Sequence, residues 1–312
     1  MCIRDRSHIE TVQSFQPSFS VAERTRTYLK IQDGCNYNCS FCTIPLARGR
    51  SRSDNIANTV NIAQQIADTE AREIVLTGVN IGDYGVDSDE NFFQLIQALD
   101  NVDGIDRFRI SSIEPNLLSD EIITFCARSK KFVPHFHIPL QSGTDSILRR
   151  MKRRYDTALY SSKIETINNL IPDCCIGVDV IVGFPGEEEK DFLATRSFLN
   201  GLDISYLHVF TFSERLNTEA ASLDNQIPQE EKAYRSKTLH MLSDEKRYAF
   251  HDKFLTQIRP VLFERSVNGM SQGYTDNYIR VQVPTDKNYE NRLLEVTLTK
   301  NHGSYMNCLV AD

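Results

Sequence analysis

No stretch of this 312-residue chain approaches the ~18 consecutive apolar residues that a membrane-crossing helix requires. That argues against a helical membrane anchor within these residues. A charged leader followed by an apolar stretch, the mark of a secretory signal, is also missing. Nor is there an excess of positive charge: 35 Lys and Arg stand against 42 Asp and Glu, a net charge of −7. A chain coated in basic residues is thereby excluded, although a local basic patch can still act within an acidic protein. The apolar fraction of 40% and charged fraction of 25% are those of ordinary globular chains. They exclude collagen, a disordered tail and a disulfide knot. The length suggests about two domains and a core that needs no staples. The expected setting is cytoplasmic, with no membrane partner.

What the chain does have is an uneven set of eight cysteines. Cys35, Cys39 and Cys42 fall within eight residues, whereas Cys2, Cys126, Cys174, Cys175 and Cys308 are scattered. In a reducing compartment a tight cluster reads as metal-binding or redox-active before it reads as disulfide. The scattered residues Cys126, Cys174, Cys175 and Cys308 read as small buried hydrophobes.

From Tyr28 onward, apolar strands alternate with amphipathic stretches of helical length. Strands are expected at 28–32, 73–78, 107–113, 135–140, 176–183 and 205–212. Helices are expected between them, at 53–67 with Ser53 or Asp54 as N-cap, at 92–99, at 119–126 and at 187–202. Six strand–helix units predict an α/β fold, a parallel sheet rolled into a partial (βα)6 barrel over residues 25–225. In such folds the chemistry sits at the C-terminal ends of the strands. A charged helical connection is expected over 226–257. A small all-β module follows over 258–312, with strands at 261–267, 278–283 and 293–298. Residues 1–24 show no period and receive no fold; they read as a linker or a scar.

The cysteines form a CxxxCxxC run, Cys35-Asn-Tyr-Asn-Cys39-Ser-Phe-Cys42, directly after the first strand. Three thiolates so spaced can hold three irons of a four-iron cluster, which usually takes four cysteines. A missing fourth ligand leaves one iron open, as catalytic metal sites keep a position open. The competing reading is structural zinc, which wants a fourth ligand that no neighbouring residue supplies. Elsewhere the unusual polar residues come late in strands. Gly78-Val79-Asn80 forms a turn, either an ordinary βα connection or a close backbone approach to a ligand. Ser112 and Glu114 share one face by period two, as do His135, His137 and Gln141. Asp179 interrupts an apolar strand, so it must be paired or functional. Two basic runs, Arg24 to Arg52 and Arg149 to Arg154, suit a phosphate backbone or are simply solvated faces.

Several segments together resemble one family. They are Lys30-Ile-Gln-Asp-Gly-Cys35 through Cys42-Thr-Ile-Pro45, Arg48-Gly-Arg50, Leu76 to Gly85, and Ser111-Ser-Ile-Glu-Pro115. They continue with His137-Ile-Pro-Leu-Gln-Ser-Gly143, Met151-Lys-Arg-Arg-Tyr155 and Asp179 to Glu187. In these the chain resembles the radical S-adenosylmethionine (SAM) methylthiotransferases, over roughly residues 25–312. The resemblance implies a radical SAM barrel with a TRAM-like terminal β domain. Cys35, Cys39 and Cys42 would ligate a [4Fe–4S] cluster whose open iron chelates SAM, cleaved by one electron to a 5′-deoxyadenosyl radical. Tyr37, Phe41, Gly78, Val79, Asn80, Ser112, Gln141, Arg153, Asp179 and Gly183 are the expected cofactor contacts. Arg48, Arg50, Arg52, Glu114 and Arg154 are the expected tRNA contacts.

The motifs are most similar to the branch that adds a methylthio group to C2 of N6-threonylcarbamoyladenosine at position 37 of tRNA. The isopentenyladenosine branch, a branch acting on a ribosomal-protein aspartate, and a non-catalytic RNA-binding module are the alternatives. The implied partners are the tRNA anticodon region, a reducing electron donor and a sulfur source. The family also carries an N-terminal domain with three further cysteines for a second cluster. Only Cys2 precedes Cys35 here, so a fragment lacking that domain is expected.

Overall fold

The computed structural model describes residues 9, 12, 14–20 and 25–310. The first described strand, β1 (Ser18–Phe19), lies in the segment that periodicity leaves without a fold; it pairs antiparallel with β2 (Arg26–Lys30). Next come the short β3 (Gln32–Asp33), α1 (Ile44–Arg48) and β4 (Arg52–Ser53), then α2 (Ile56–Ala67) and β5 (Glu73–Thr77). The series continues with α3 (Phe92–Leu99), β6 (Arg107–Ile110), α4 (Asp120–Arg128), β7 (His135–His137), α5 (Asp145–Arg150) and α6 (Thr157–Leu170). It ends with β8 (Cys175–Val182), α7 (Glu189–Gly201), β9 (Tyr206–Thr211) and the long α8 (Gln229–Asp252). The helix over 53–67 starts later than the sequence suggests, because Ser53 is taken into β4. Asn55 is the N-cap instead, its side chain accepting from Asn58 N at 2.8 Å. Asn91–Gln94 form a capping box on α3, and Ser119 caps α4.

Strands β2, β5 and β6 pair in parallel, and so do β7, β8 and β9. Single parallel bridges, Phe108 to Phe132 and Ser112 to His137, join the two groups. The result is an open barrel of six parallel strands, with one continuous apolar core between its sheet and the outer helices. Ser243 of α8 covers the free edge of β9: its Oγ accepts from Leu207 N at 2.9 Å and donates to Leu207 O at 3.0 Å. Among the described residues, no helix is long and apolar enough to cross a membrane.

The rest of the chain, β10 (Ile258–Val267), β11 (Met270–Thr275), β12 (Arg280–Pro284), β13 (Leu293–Asn301) and β14 (Met306–Val310), closes into a small barrel. Two of its strands, β11 and β14, are not anticipated from the sequence, because Gly269, Gly273 and Gly303 mask their alternation. This barrel lies under the N-terminal ends of the large barrel's strands, away from the cysteines. Arg107, at the start of β6, donates to Pro260 O at 2.7 Å and Tyr274 O at 3.3 Å. Arg109 reaches Asp276 O at 3.4 Å and stacks over the Tyr278 ring at 4.8 Å. Glu73 sits among these arginines, accepting from Arg109 Nε at 2.7 Å. Phe250 and Phe254, at and just past the end of α8, complete the small barrel's core.

Candidate active site

The cysteine loop and α1 are the content of a hairpin whose legs are β3 and β4, paired through Gln32–Ser53 and Asp33–Arg52. Gly34 turns the chain into the loop at φ +72°, where a Cβ would stand 1.9 Å from Arg50 O, so no other residue fits. Cys35 N then donates to Gly49 O at 3.1 Å and fixes the loop's base. Each sulfur accepts one hydrogen bond. Tyr37 N serves Cys35 at 3.4 Å, Ile44 N serves Cys42 at 3.5 Å, and Arg153 Nη1 serves Cys39 at 3.1 Å. All three thiols are free and partly exposed. Burial pushes the Cys35 thiol up to about 11 and raises that of Cys39, in the latter against the pull of Arg153. A bound cation would supply the positive charge that thiolates need in such surroundings.

A second segment clamps the loop from above 100 residues away in sequence. Ser40 N donates to Met151 O at 3.2 Å, and Ser40 Oγ donates to Arg150 O at 2.8 Å. Arg154 lies over the Tyr37 ring at 3.9 Å and donates to Asn36 O at 2.9 Å. Arg153 also pairs with Glu114 and, through Nε, with Tyr155 Oη at 3.0 Å. Tyr155 Oη in turn donates to Pro139 O and Leu140 O at 2.8 and 2.9 Å, so β7's outgoing chain is tied to the same knot. Burial raises the Glu114 carboxyl despite its arginine.

Gln32 joins the loop to the turn after β5. Fully buried, it donates to Asp33 O, Gly34 O and Ser51 Oγ, while its Oε1 accepts from Val79 N at 3.0 Å and Asn80 N at 2.8 Å. Sequence reading gives Gln32 no role; a fully polar side chain closing an apolar strand was the available signal. Sequence reading likewise assigns no contact to Tyr155 or Asn116. Asn116 Nδ2 donates to Tyr37 Oη at 2.7 Å.

These contacts redirect several expected cofactor and substrate residues. Space above Gly78 is filled by Ile81 and Gln32, and the N–H groups of Val79 and Asn80 are spent on Gln32. Gly78 therefore makes room for Gln32 rather than for a ligand at that point. Gly183, at φ +75°, faces Lys232 of α8, whose Cγ would lie 2.4 Å from a Cβ, and its N–H goes to Glu187. Its glycine is a requirement of helix packing. Arg52 turns inward to Arg48 O, Arg50 O and Asp33, and Arg154 is spent on the cysteine loop. Arg48 and Arg50 remain exposed. Arg153 and Glu114 bind each other beneath Cys39. Ser112 and Gln141 are half-buried on the lumen side, Gln141 in the left-handed region at φ 70°. Phe41 packs edge-on against Phe184. Asp179 hydrogen-bonds His137 Nε2 at 2.8 Å inside the barrel. Cys126, Cys174, Cys175 and Cys308 are buried, as their scatter suggests.

The residues present fit a multi-iron cluster with SAM. Ligands of one tetrahedral zinc lie about 3.8 Å apart, given a Zn–S distance of about 2.3 Å. Among the described residues, the one group of His, Cys, Asp and Glu whose ligand atoms all come within 4.8 Å of one another is His137, Asp179 and His208. Three thiols with no fourth ligand beside them among the described residues are the donor set of a four-iron cluster with one open iron. Beside the loop, Asn80 Oδ1 and Asn116 Oδ1 are buried acceptors with no partner among the described residues. Such orphans are uncommon and suit the N–H and O–H groups of a bound small molecule.

Residues 29–199 match the radical SAM superfamily. The chain is 38% identical over 291 residues to threonylcarbamoyladenosine tRNA methylthiotransferase MtaB of Bacillus subtilis, covering 91% of this chain and 64% of that protein. It is 34% identical over 291 residues to the MtaB of Rickettsia prowazekii, covering 92% and 68%. It is also 34% identical over 271 residues to the tRNA-2-methylthio-N(6)-dimethylallyladenosine synthase of Endomicrobium trichonymphae, covering 87% and 65%. The chain thus spans somewhat under two thirds of two of these three relatives and slightly more of the third. In structure it resembles coproporphyrinogen III oxidase HemN of Escherichia coli, with TM-score 0.54 at 12% identity over 80% of this chain and 66% of that one. It also resembles the radical SAM methyltransferase TsrM of Kitasatospora setae, with TM-score 0.53 at 15% identity over 62% and 35%. At such identities these two speak for the fold alone.

Proposed function

The chain belongs to the radical SAM superfamily and, within it, to the tRNA methylthiotransferases; from that premise we propose that it is the barrel portion of an enzyme that methylthiolates C2 of N6-threonylcarbamoyladenosine at position 37 of tRNA. The observation that carries the reading is the CxxxCxxC loop at the barrel rim, with three sulfurs and, among the described residues, no fourth beside them, next to the orphan acceptors of Asn80 and Asn116. Cys35, Cys39 and Cys42 would hold a [4Fe–4S] cluster, which together with SAM supplies a one-electron route to a 5′-deoxyadenosyl radical.

The chain's own residues position and shield. Arg153 orients Cys39, Gln32 sets the loop against the Asn80 turn, and the two asparagines offer acceptors to SAM. Tyr37, Phe41, Ser112 and Gln141 would add further contacts to the cofactor. Arg48, 3.7 Å from Asp33, and Arg50 are exposed cations that would meet tRNA phosphates near the anticodon. The threonylcarbamoyl substrate is supported by the relatives that bear the MtaB name. The rest of a longer protein, with its second cluster, would provide the sulfur, and an electron donor and the cytoplasm complete the setting.

The test begins with anaerobic reconstitution of the 312-residue chain. About four irons per chain are expected, with reductive SAM cleavage lost in Cys39→Ala. A colourless protein holding a single zinc overturns the reading. Fusion to the N-terminal domain of a relative, expressed in a host without such enzymes, then identifies the nucleoside by mass spectrometry. The 2-methylthio-dimethylallyl product would keep the chemistry and overturn the substrate.

A further inference from the structure

The lumen of the large barrel holds a second constellation, one layer further from the rim than Gln141 and Glu114. His137 ends β7, Asp179 stands in mid-β8 and His208 stands in β9. Asp179 and His208 are direct partners in the β8–β9 register, and His137 lies opposite Gly177, two residues before Asp179 on the same face. Gly177 keeps that face clear, since a Cβ there would meet Tyr206 Oη at 2.4 Å. Three neighbouring strands therefore present two imidazoles and a carboxylate to one point.

We propose that His137, Asp179 and His208 bind one divalent transition-metal ion, of the zinc or ferrous class, inside the barrel. Their ligand atoms all lie within 4.8 Å of one another, the span that the donors of one ion occupy. Two histidines and one carboxylate on one side of an ion is the donor set of open-sited non-haem iron, and is equally a catalytic zinc set. Among the described residues, His208 has ring contacts only, with His137 at 5.2 Å and Tyr206 at 5.1 Å, so its nitrogens are not committed elsewhere. The Tyr206 ring stands edge-on to His208 and is itself tied through Oη to His135 Nε2 at 3.2 Å, which holds the ligand ring in place. His137 Nε2 and Asp179 lie 2.8 Å apart in a hydrogen bond that an incoming ion would replace. Three protein ligands leave at least one coordination position facing the lumen.

The test removes the first metal site so that the second can be read alone. In the full chain, Cys35, Cys39 and Cys42 are changed to Ser, and the protein is titrated anaerobically with Co2+, then with Zn2+. One saturable Co2+ per chain is expected, with ligand-field bands of nitrogen and oxygen donors, no thiolate charge-transfer band, and displacement by Zn2+. His208→Ala and Asp179→Asn, each checked for an unchanged unfolding midpoint, should abolish that equivalent. His208 is exposed, so its alanine variant is the one that leaves the fold intact. No saturable binding, or full binding retained in His208→Ala, overturns the proposal. Neither result bears on the cysteine cluster, which the variant lacks.

Discussion

Removing the charge of Glu73 tests whether the two barrels are joined by a buried ionic knot. Glu73 is 1% exposed and faces Arg109, which is 2% exposed, at 2.7 and 3.3 Å, with Arg107, 4% exposed, at 4.0 Å. Burial alone would push its carboxyl upward, but Arg109, Arg26 and Arg107 outweigh that and hold it below the ordinary range. Glu73→Gln keeps the shape and strands two buried guanidinium groups. Breaking a buried pair in this way costs about 3–5 kcal/mol. An unfolding entropy of about 2.1 cal/mol/K per residue gives roughly 0.65 kcal/mol/K over the chain, hence a Tm lower by about 5–8 °C. The assay is thermal unfolding by circular dichroism at neutral pH. The contribution of a depressed carboxylate is complete above its unfolded pKa of about 4.3 and is lost as pH falls through the folded value. The gap between wild type and variant should therefore narrow on acidification. Adding Arg109→Met should restore part of the loss, because an apolar replacement of both partners is often nearly neutral. A Tm within about 1 °C of wild type, the range of a surface change, or a gap that widens in acid, refutes the reasoning.

Other expectations concern the cysteine loop. Gln32→Ala deprives the Val79 and Asn80 N–H groups of their acceptor. At about 1–3 kcal/mol for each buried donor left unmade, the urea midpoint should fall and reconstituted iron should leak to a chelator. Gly34→Ala sets a Cβ against the Arg50 carbonyl, so the hairpin cannot close and iron uptake should fail even if the barrel's circular dichroism persists. Arg153→Lys keeps the charge but loses the fork that reaches Cys39, Glu114 and Tyr155 together. Iron release to a chelator should quicken roughly tenfold, the scale of one hydrogen bond to a charged group; an unchanged rate would show that Cys39 does not depend on it.

Strands and helices of the large barrel are legible because their apolar periods are long and clean. The Phe92–Leu99 helix shows its limits in the residues alone. The cysteine loop is legible because spacing carries the chemistry. Less visible are contacts that cross the chain. Nothing local tells that Arg154 turns to Tyr37 instead of to solvent, or that Arg52 folds back on its own loop. A basic run looks the same whether it meets phosphate or a carbonyl. Gly183 and Gly78 look like ligand-facing glycines from sequence, because a missing side chain does not say what takes its place. The strand Met270–Thr275 escapes because Gly273 interrupts its alternation where the backbone of Phe263 comes close.

The long-range clamp on the cysteines has a consequence for how the protein is made. Ser40 waits for Arg150, 110 residues later, and Cys39 waits for Arg153, 114 residues later. At a synthesis rate of about 5–20 residues per second, the thiols emerge roughly 5–20 s before the segment that shapes them. Closing so large a loop carries an entropic cost that the intervening strands must first offset. The loop thus takes its form late, when four of the six strands already stand. Iron inserted there meets a nearly finished barrel, and a correctly held metal becomes a certificate that the chain has folded.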